Sequence, residues 1–222
     1  MADVPPGPGP LPDTFAVFPL SGALLLPKGK LPLNIFEPRY LAMTEDALAA
    51  GRLFGMIQPD PAAPRHTHGP GLHRVGCLGR ISSFSETDDG RYLITLSGVS
   101  RFRIVEELEM RRGYRRVRAE LAPYAADLET AEPSPTPLPR APLLRALRNY
   151  FRTRGYSANW DAIERMADAA LVATLAMACP FTPTEKQALL EAPTETERAT
   201  ALLALLEIDT HAAGAAAAPR PS

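Results

Sequence analysis

The 222-residue chain is 45% hydrophobic, enough to build a substantial core in one large domain or two small ones. Its 24 Lys and Arg balance 25 Asp and Glu, so no global field draws the molecule to nucleic acid or an anionic membrane, and any charged function has to be local. No run approaches the roughly 18 apolar residues of a membrane span, and Cys77 and Cys179, far apart in apolar surroundings, do not make a disulfide framework.

The opening MADVPPGPGPLPDT has no positive charge ahead of an apolar core and is dense in Pro and Gly, which predicts a flexible tail over 1–13 rather than a signal peptide. The expected location is therefore the cytoplasm. Over 14–126 the signals are short and strand-like. Leu31, Leu33 and Ile35 alternate in LPLNIFEPRY, and Glu37 and Pro38 then end a strand and start a helix, since Pro suits a first helical position. That helix carries Leu41, Thr44, Ala47 and Leu48 on one face and stops at Gly51.

RLFGMIQP follows, ending at a proline, and RVGCLGRISSF sets Val75, Cys77 and Ile81 at period two. SETDDGRYLITL reads as a hairpin around Asp-Asp-Gly. RFRIVEEL alternates Phe102 and Ile104 with Arg101 and Arg103, and RRVRAEL alternates Val117, Ala119 and Leu121 with Arg116, Arg118 and Glu120. The prediction is a mostly antiparallel, half-buried sheet curling towards a barrel, interrupted by one helix.

Five prolines over 127–142 predict a linker. A helical part follows over 143–209. Leu143, Leu147, Tyr150 and Phe151 align before Gly155, and Asn159 is placed to cap a long helix running to about Ala178. Two Thr-x-x-Glu capping boxes, Thr182 with Glu185 and Thr194 with Glu197, open two more helices, the last presenting Ala199, Leu202, Leu203 and Leu206 to a core. The Ala-rich tail over 210–222 is expected to fray. The fold class is thus α+β, a barrel-like sheet followed by a helical bundle.

Motifs for nucleotide, serine or zinc hydrolysis are not found: the chain has no GxxxxGK[ST], GxSxG, HExxH or CxxC, and only three lysines, Lys28, Lys30 and Lys186. His66, His68, His73 and Cys77 lie close in sequence but match no zinc spacing, and Cys77 fits the core periodicity of its strand, so no metal or other cofactor is expected. The arginines from Arg101 to Arg118 could track a phosphate backbone, yet Glu106, Glu107, Glu109 and Glu120 are interleaved with them, the pattern of a salt-bridged strand face.

FPLSGALLLPKGKLPLNIFEPRYLAM, FGMIQP, GLHRVGCLGRI, ITLSGVSRFRI and EKQALLEAPTETERATALLALLE, in this order, resemble the N-terminal substrate-binding domain of Lon-type proteases, and more closely the stand-alone bacterial proteins made of that domain. The resemblance runs from about Thr14 to Leu206. It implies a PUA-like barrel followed by a helical bundle, and a role in substrate recognition. It also implies neither ATPase nor peptidase activity, because in a full-length Lon enzyme both lie further along the chain. Within it, Glu37, Pro38, Arg39 and Tyr40 are expected to hold the strand-to-helix corner rather than perform chemistry. Gly76 and Gly79, beside Arg80, are expected to relieve crowding, and Gly98 to form a bulge with Arg101 pairing a nearby carboxylate.

Two functions remain open. A non-enzymatic module would bind unfolded or partner polypeptide in a crevice between barrel and bundle, with Phe36, Tyr40, Phe54 and Phe102 as candidate contacts. An RNA-binding module would use Arg115, Arg116 and Arg118.

Overall fold

The computed structural model describes residues 11–65, 69–129 and 138–217. The strands are β1 (Thr14–Pro19), β2 (Lys30–Ile35), β3 (Leu53–Ile57), β4 (Val75–Glu86), β5 (Tyr92–Arg111) and β6 (Tyr114–Glu120). The helices are α1 (Pro38–Ala49), between β2 and β3, then α2 (Arg140–Arg154), α3 (Trp160–Arg165), α4 (Asp168–Ala178), α5 (Pro183–Glu191) and α6 (Glu195–Ala217). A short 3-10 helix, Ala122–Asp127, follows β6.

The strands form one sheet in the order β2-β5-β4-β3-β1-β6, and β6 also pairs with β5, so β1, β3, β4, β5 and β6 make a closed circuit. All pairings are antiparallel except β1 with β3. One 20-residue strand makes closure possible: the first part of β5 pairs with β2 and β4, and its end pairs with β6. The register slips between Leu78 and Gly79 and again between Ile104 and Glu106, and such bulges bend a strand and increase its twist. The hairpins are tight. Gly90 at φ +77° closes the Asp-Asp-Gly turn, and Arg112 and Gly113, both at positive φ, form the two-residue turn into β6.

Glycines allow the circuit to pack around Phe102. A side chain at Gly76 would run into the Phe102 ring and stand 2.6 Å from the Met56 carbonyl, and one at Gly55 would come within 2.7 Å of the same ring. Phe15 meets Phe102 edge to face at 5.0 Å. At Gly98 the approach is closest: a methyl group would overlap the Leu26 carbonyl, because the loop leading into β2 lies on β5 through Lys28 N–H to Gly98 O and Gly98 N–H to Gly29 O.

The helical part departs from the expected layout in three places. The long helix from Asn159 is two, α3 and α4, with Met166 and Ala167 extended between them. Arg140 explains the break, since its guanidinium donates to the Glu164 carbonyl and pairs with Asp168 in the first turn of α4. Asn159 caps only α3, accepting from Ala162 N–H. Helix α2 begins at Arg140, inside the expected linker, of which residues 130–137 lie outside the described ones. Helix α6 continues past Asp209 to Ala217, through alanines of high helix propensity, where a frayed tail was expected. Both capping boxes form as the spacing requires.

Sheet and helices share one core cluster, which joins Leu25, Phe54 and Leu96 to Leu147, Tyr150, Leu171 and Leu206. Polar side chains fasten the two. Arg101, 5% exposed, donates through Nε and Nη2 to the Asp127 carboxylate at 2.9 Å each. Its Nη1 donates to the Ala192 carbonyl at 2.7 Å, at the junction of α5 and α6, and its cationic centre lies 4.7 Å from the Tyr124 ring. Gln58 donates to the Pro183 carbonyl and to Gln187, which donates to Val75 O. Lys186 donates to the Gly22 carbonyl at 2.8 Å, and burial lowers its pKa.

Gly98→Ala, which forces the β2 loop off β5, should cost at least about 2 kcal/mol in urea unfolding. Gly90→Ala meets no atom but keeps the strained φ, and should cost only about 1 kcal/mol. Equal losses would mean that the loop contact contributes nothing. Arg101→Ala leaves Asp127 buried without a counter-charge and should cost about 3–5 kcal/mol, while Arg101→Met with Asp127→Leu should cost less than the single change, both read from chemical melts.

Candidate functional site

At the strand-to-helix corner the four residues contact one another and the backbone. Pro38 occupies the first turn of α1, and the Glu37 carbonyl accepts from both Tyr40 and Leu41 N–H. Glu37 and Arg39 form an exposed ion pair at 2.8 Å, and the Arg39 guanidinium lies 4.5 Å from the centre of the Tyr40 ring. Tyr40 is 6% exposed and packs on Phe18 at 4.1 Å, and burial raises the pKa of its hydroxyl. Phe54 and Phe102 are fully enclosed in the core, so neither can touch a ligand in this conformation, and Tyr40 offers little more. Strand periodicity marks such residues as apolar and inward, which is why they drew notice in the sequence. Phe36 alone of the four candidates is open, at 60% exposure.

The arginine strands carry their own counter-charges. Arg115 is 5% exposed, donates bidentately to Glu107 and also reaches the Pro70 carbonyl. Arg118 pairs with Glu106 at 2.8 Å, Arg103 with Glu120 at 2.5 Å, and Arg112 with Glu45 and Asp46. Arg116 is half-buried. Arg80 donates to the Gly51 carbonyl, and Gly79 admits Leu25, whose methyl group would be 2.8 Å from an added Cβ.

His66 and His68 lie outside the described residues. Cys77 has no exposure, and desolvation drives its thiol pKa far up, which suits a core residue and not a thiolate ligand. Among the described residues no three His, Cys, Asp or Glu side chains are grouped to hold a metal ion.

What the structure does offer is a seam between sheet and helices, bordered by a free sheet edge. Among the described residues β2 pairs only with β5, and its other edge has no strand partner. Pro32, not singled out in the sequence, lacks an N–H to donate to a strand partner and fits such an edge position. A crevice of 430 Å³ separates the start of β2 from α4, with Lys28, Lys30, Leu31 and Pro32 on one wall and Thr174 and Met177 on the other. Gly29 lets the two walls meet, because a Cβ there would strike the Met177 sulfur. Lys28 also lines a second crevice of 310 Å³, where Arg101, Asp127 and Arg198 face the start of α6.

At the far end of β2 lies exposed apolar surface. Register sets Ile35 opposite Tyr92 and Asn34 opposite Leu93, and Phe36 follows directly. Leu93 at 46% and Phe36, whose ring lies 5.7 Å from Arg91, are exposed there, while Phe84 at 38%, paired in register with Ile94 and tilted against Tyr92 at 5.0 Å, is exposed on the opposite face from Leu93. Phe84 and Leu93 were not singled out in the sequence, where an exposed hydrophobic in a strand looks like any inward one. No helix among the described residues is long and apolar enough to cross a membrane.

Known proteins place this architecture. The Lon N-terminal domain protein from Xanthomonas campestris superposes with a TM-score of 0.58 at 24% identity, covering 86% of this chain and 97% of that one. The N-terminal domain of a Mycobacterium avium complex Lon protease gives 0.60 at 18% identity, over 87% and 97%. In sequence, the Lon protease of Desulfosudis oleivorans is 32% identical over 94 residues, 42% of this chain and 12% of that protein. Lon protease 2 of Sorangium cellulosum is 30% identical over 120 residues, 52% and 14% respectively, so the matched part is a small fraction of these relatives. The model of the ATP-dependent protease La (LON) substrate-binding domain matches residues 14–207, and the chain belongs to that family.

Proposed function

We propose that this chain is a non-catalytic recognition module for polypeptide, which takes an extended, unfolded segment along the free edge of β2. The observation that carries the reading is the β2 edge without a strand partner among the described residues, with the α4 crevice at one end and exposed Phe36 and Leu93 at the other. An unfolded chain supplies both things this surface lacks, unpaired backbone groups and loose apolar side chains, whereas a folded protein has hidden them. The closed circuit of strands supports a PUA-like barrel as the scaffold. The ion-paired state of Arg115 and Arg118 weighs against an RNA track.

Fluorescence anisotropy with a permanently unfolded labelled protein, its folded counterpart and a short single-stranded RNA tests this at low and physiological salt. The unfolded protein should bind at least about tenfold tighter than the folded one, with little salt dependence. Phe36→Asp, at an exposed position, should weaken that binding about tenfold with the melting temperature unchanged. Equal, negligible affinity for both protein forms would overturn the reading. RNA binding that falls steeply with salt, and whose slope flattens in Arg115, Arg116 and Arg118 to Ala variants, would replace it.

A further inference from the structure

The ends of α2 and α4 enclose a cavity of 450 Å³ that has no part in the polypeptide reading. Tyr150, Phe151 and Tyr156 line it from the α2 side, and Leu175, Cys179 and Pro180 from the α4 side. None of the residues that line it is charged, and the Cys179 thiol, whose pKa burial pushes up to about 11, stays protonated. The rings meet at steep angles, Tyr156 against Phe151 at 5.8 Å and 79° and against Tyr150 at 6.2 Å and 64°, so a further ring would find both edges and faces to pack on. Small-molecule sites have this makeup: ~300–1,000 Å³ of mostly apolar and aromatic wall with a few placed polar groups.

The placed polar group is the Tyr150 hydroxyl. Its side chain is fully enclosed, and its oxygen has no hydrogen-bond partner among the described residues. Asp209, whose charge acts on this hydroxyl, is paired with Arg154 instead. Burial raises the Tyr150 pKa to about 12, so the group keeps its proton at neutral pH and is able to donate and to accept. Phenylalanine would fill the same space without an unpaired buried hydroxyl, so packing alone does not account for the tyrosine. Tyr156, 47% exposed, leans on Tyr150 from the solvent side. Beside it, a side chain added at Gly155 would meet no atom, so the rim has room to yield to an entering ring.

We propose that this cavity binds a small aromatic molecule, an indole or a phenol, whose N–H or O–H hydrogen-bonds the Tyr150 hydroxyl once Tyr156 has turned outward. The ring then takes the hollow between Phe151 and Pro180, and its one polar group supplies the partner that the fold leaves out. The ligand is a free molecule and not a side chain of a bound polypeptide. The cavity is lined by no charged residue and by no strand, so a peptide backbone at its mouth would lose water from its amides without replacement. The site is separate from the β2 edge and stands whether or not that edge takes polypeptide.

Isothermal titration calorimetry of the full chain with indole, 1-methylindole and N-acetyltryptophan amide tests this. Indole should bind about threefold tighter than 1-methylindole, although the methyl group adds apolar surface, because only indole donates to the Tyr150 hydroxyl. Tyr150→Phe should reverse that order and, having lost an unpaired buried hydroxyl, should melt at a higher temperature. Ala178→Phe fills the cavity from an exposed position and should abolish indole binding while the far-ultraviolet circular dichroism is unchanged. The tryptophan amide, which brings backbone amides to the mouth, should bind at least about tenfold weaker than indole. Absence of indole binding, an unchanged order of affinities in Tyr150→Phe, or a lower melting temperature of that variant would overturn the proposal. Equal binding of the tryptophan amide would assign the cavity to polypeptide side chains and overturn it as well.

Discussion

The pairing of Arg101 with Asp127 fixes how the sheet meets the helices. The guanidinium leaves the middle of β5 and is sealed from water, where a charge is tolerated only if its donors are satisfied. Asp127, at the end of the 3-10 helix, takes two of its donors, and the carbonyl groups between α5 and α6 take the others. A single planar group thus orients three parts of the chain that are distant in sequence. A lysine could not substitute for it, because one ammonium group lacks the fork that reaches carboxylate and carbonyls together. Arg198, buried close by and donating to Leu189 O, closes the same junction from the α6 side.

With that joint set, the rest of the seam is a matter of small residues. Gly98 lets the Leu26–Gly29 loop lie against β5, Gly29 lets the loop touch Met177, and the alanines of α4 keep the opposite wall low. The second edge of β2 is left without a strand partner among the described residues. An open edge invites pairing between copies of the chain, and the usual defences are present in this strand, a proline at Pro32 and a lysine at Lys30.

Much of this was legible in the sequence where the cause is local. The capping boxes at Thr182 and Thr194, the Pro38 start of α1, the Gly155 stop of α2 and the Asp-Asp-Gly hairpin depend on neighbours within a turn, and they form as the spacing dictates. The break between α3 and α4 depends on Arg140, some two dozen residues away, and no local pattern records it. The continuity of β5 was hidden because its bulges interrupt the period-two pattern at Gly98 and Ile104. For the site the limit is sharper. Alternation identifies which residues share a strand face but not whether that face meets a core, so Phe54 and Phe102 stood out while the exposed Phe84 and Leu93 did not.

The closed circuit of strands also governs when this protein can fold. Strand β1 pairs in register with β6, Thr14 with Arg118 and Val17 with Arg115, so the first strand waits for the last before the ring is complete. Such long-range closure carries a large loop entropy and slows folding compared with a chain of local contacts. On a ribosome adding ~5–20 residues per second, synthesis up to β6 occupies on the order of 6–25 s. Throughout that interval the edge of β1 that β6 will cover stays unpaired, while β3 already has both its partners, β1 and β4, in the emerged chain.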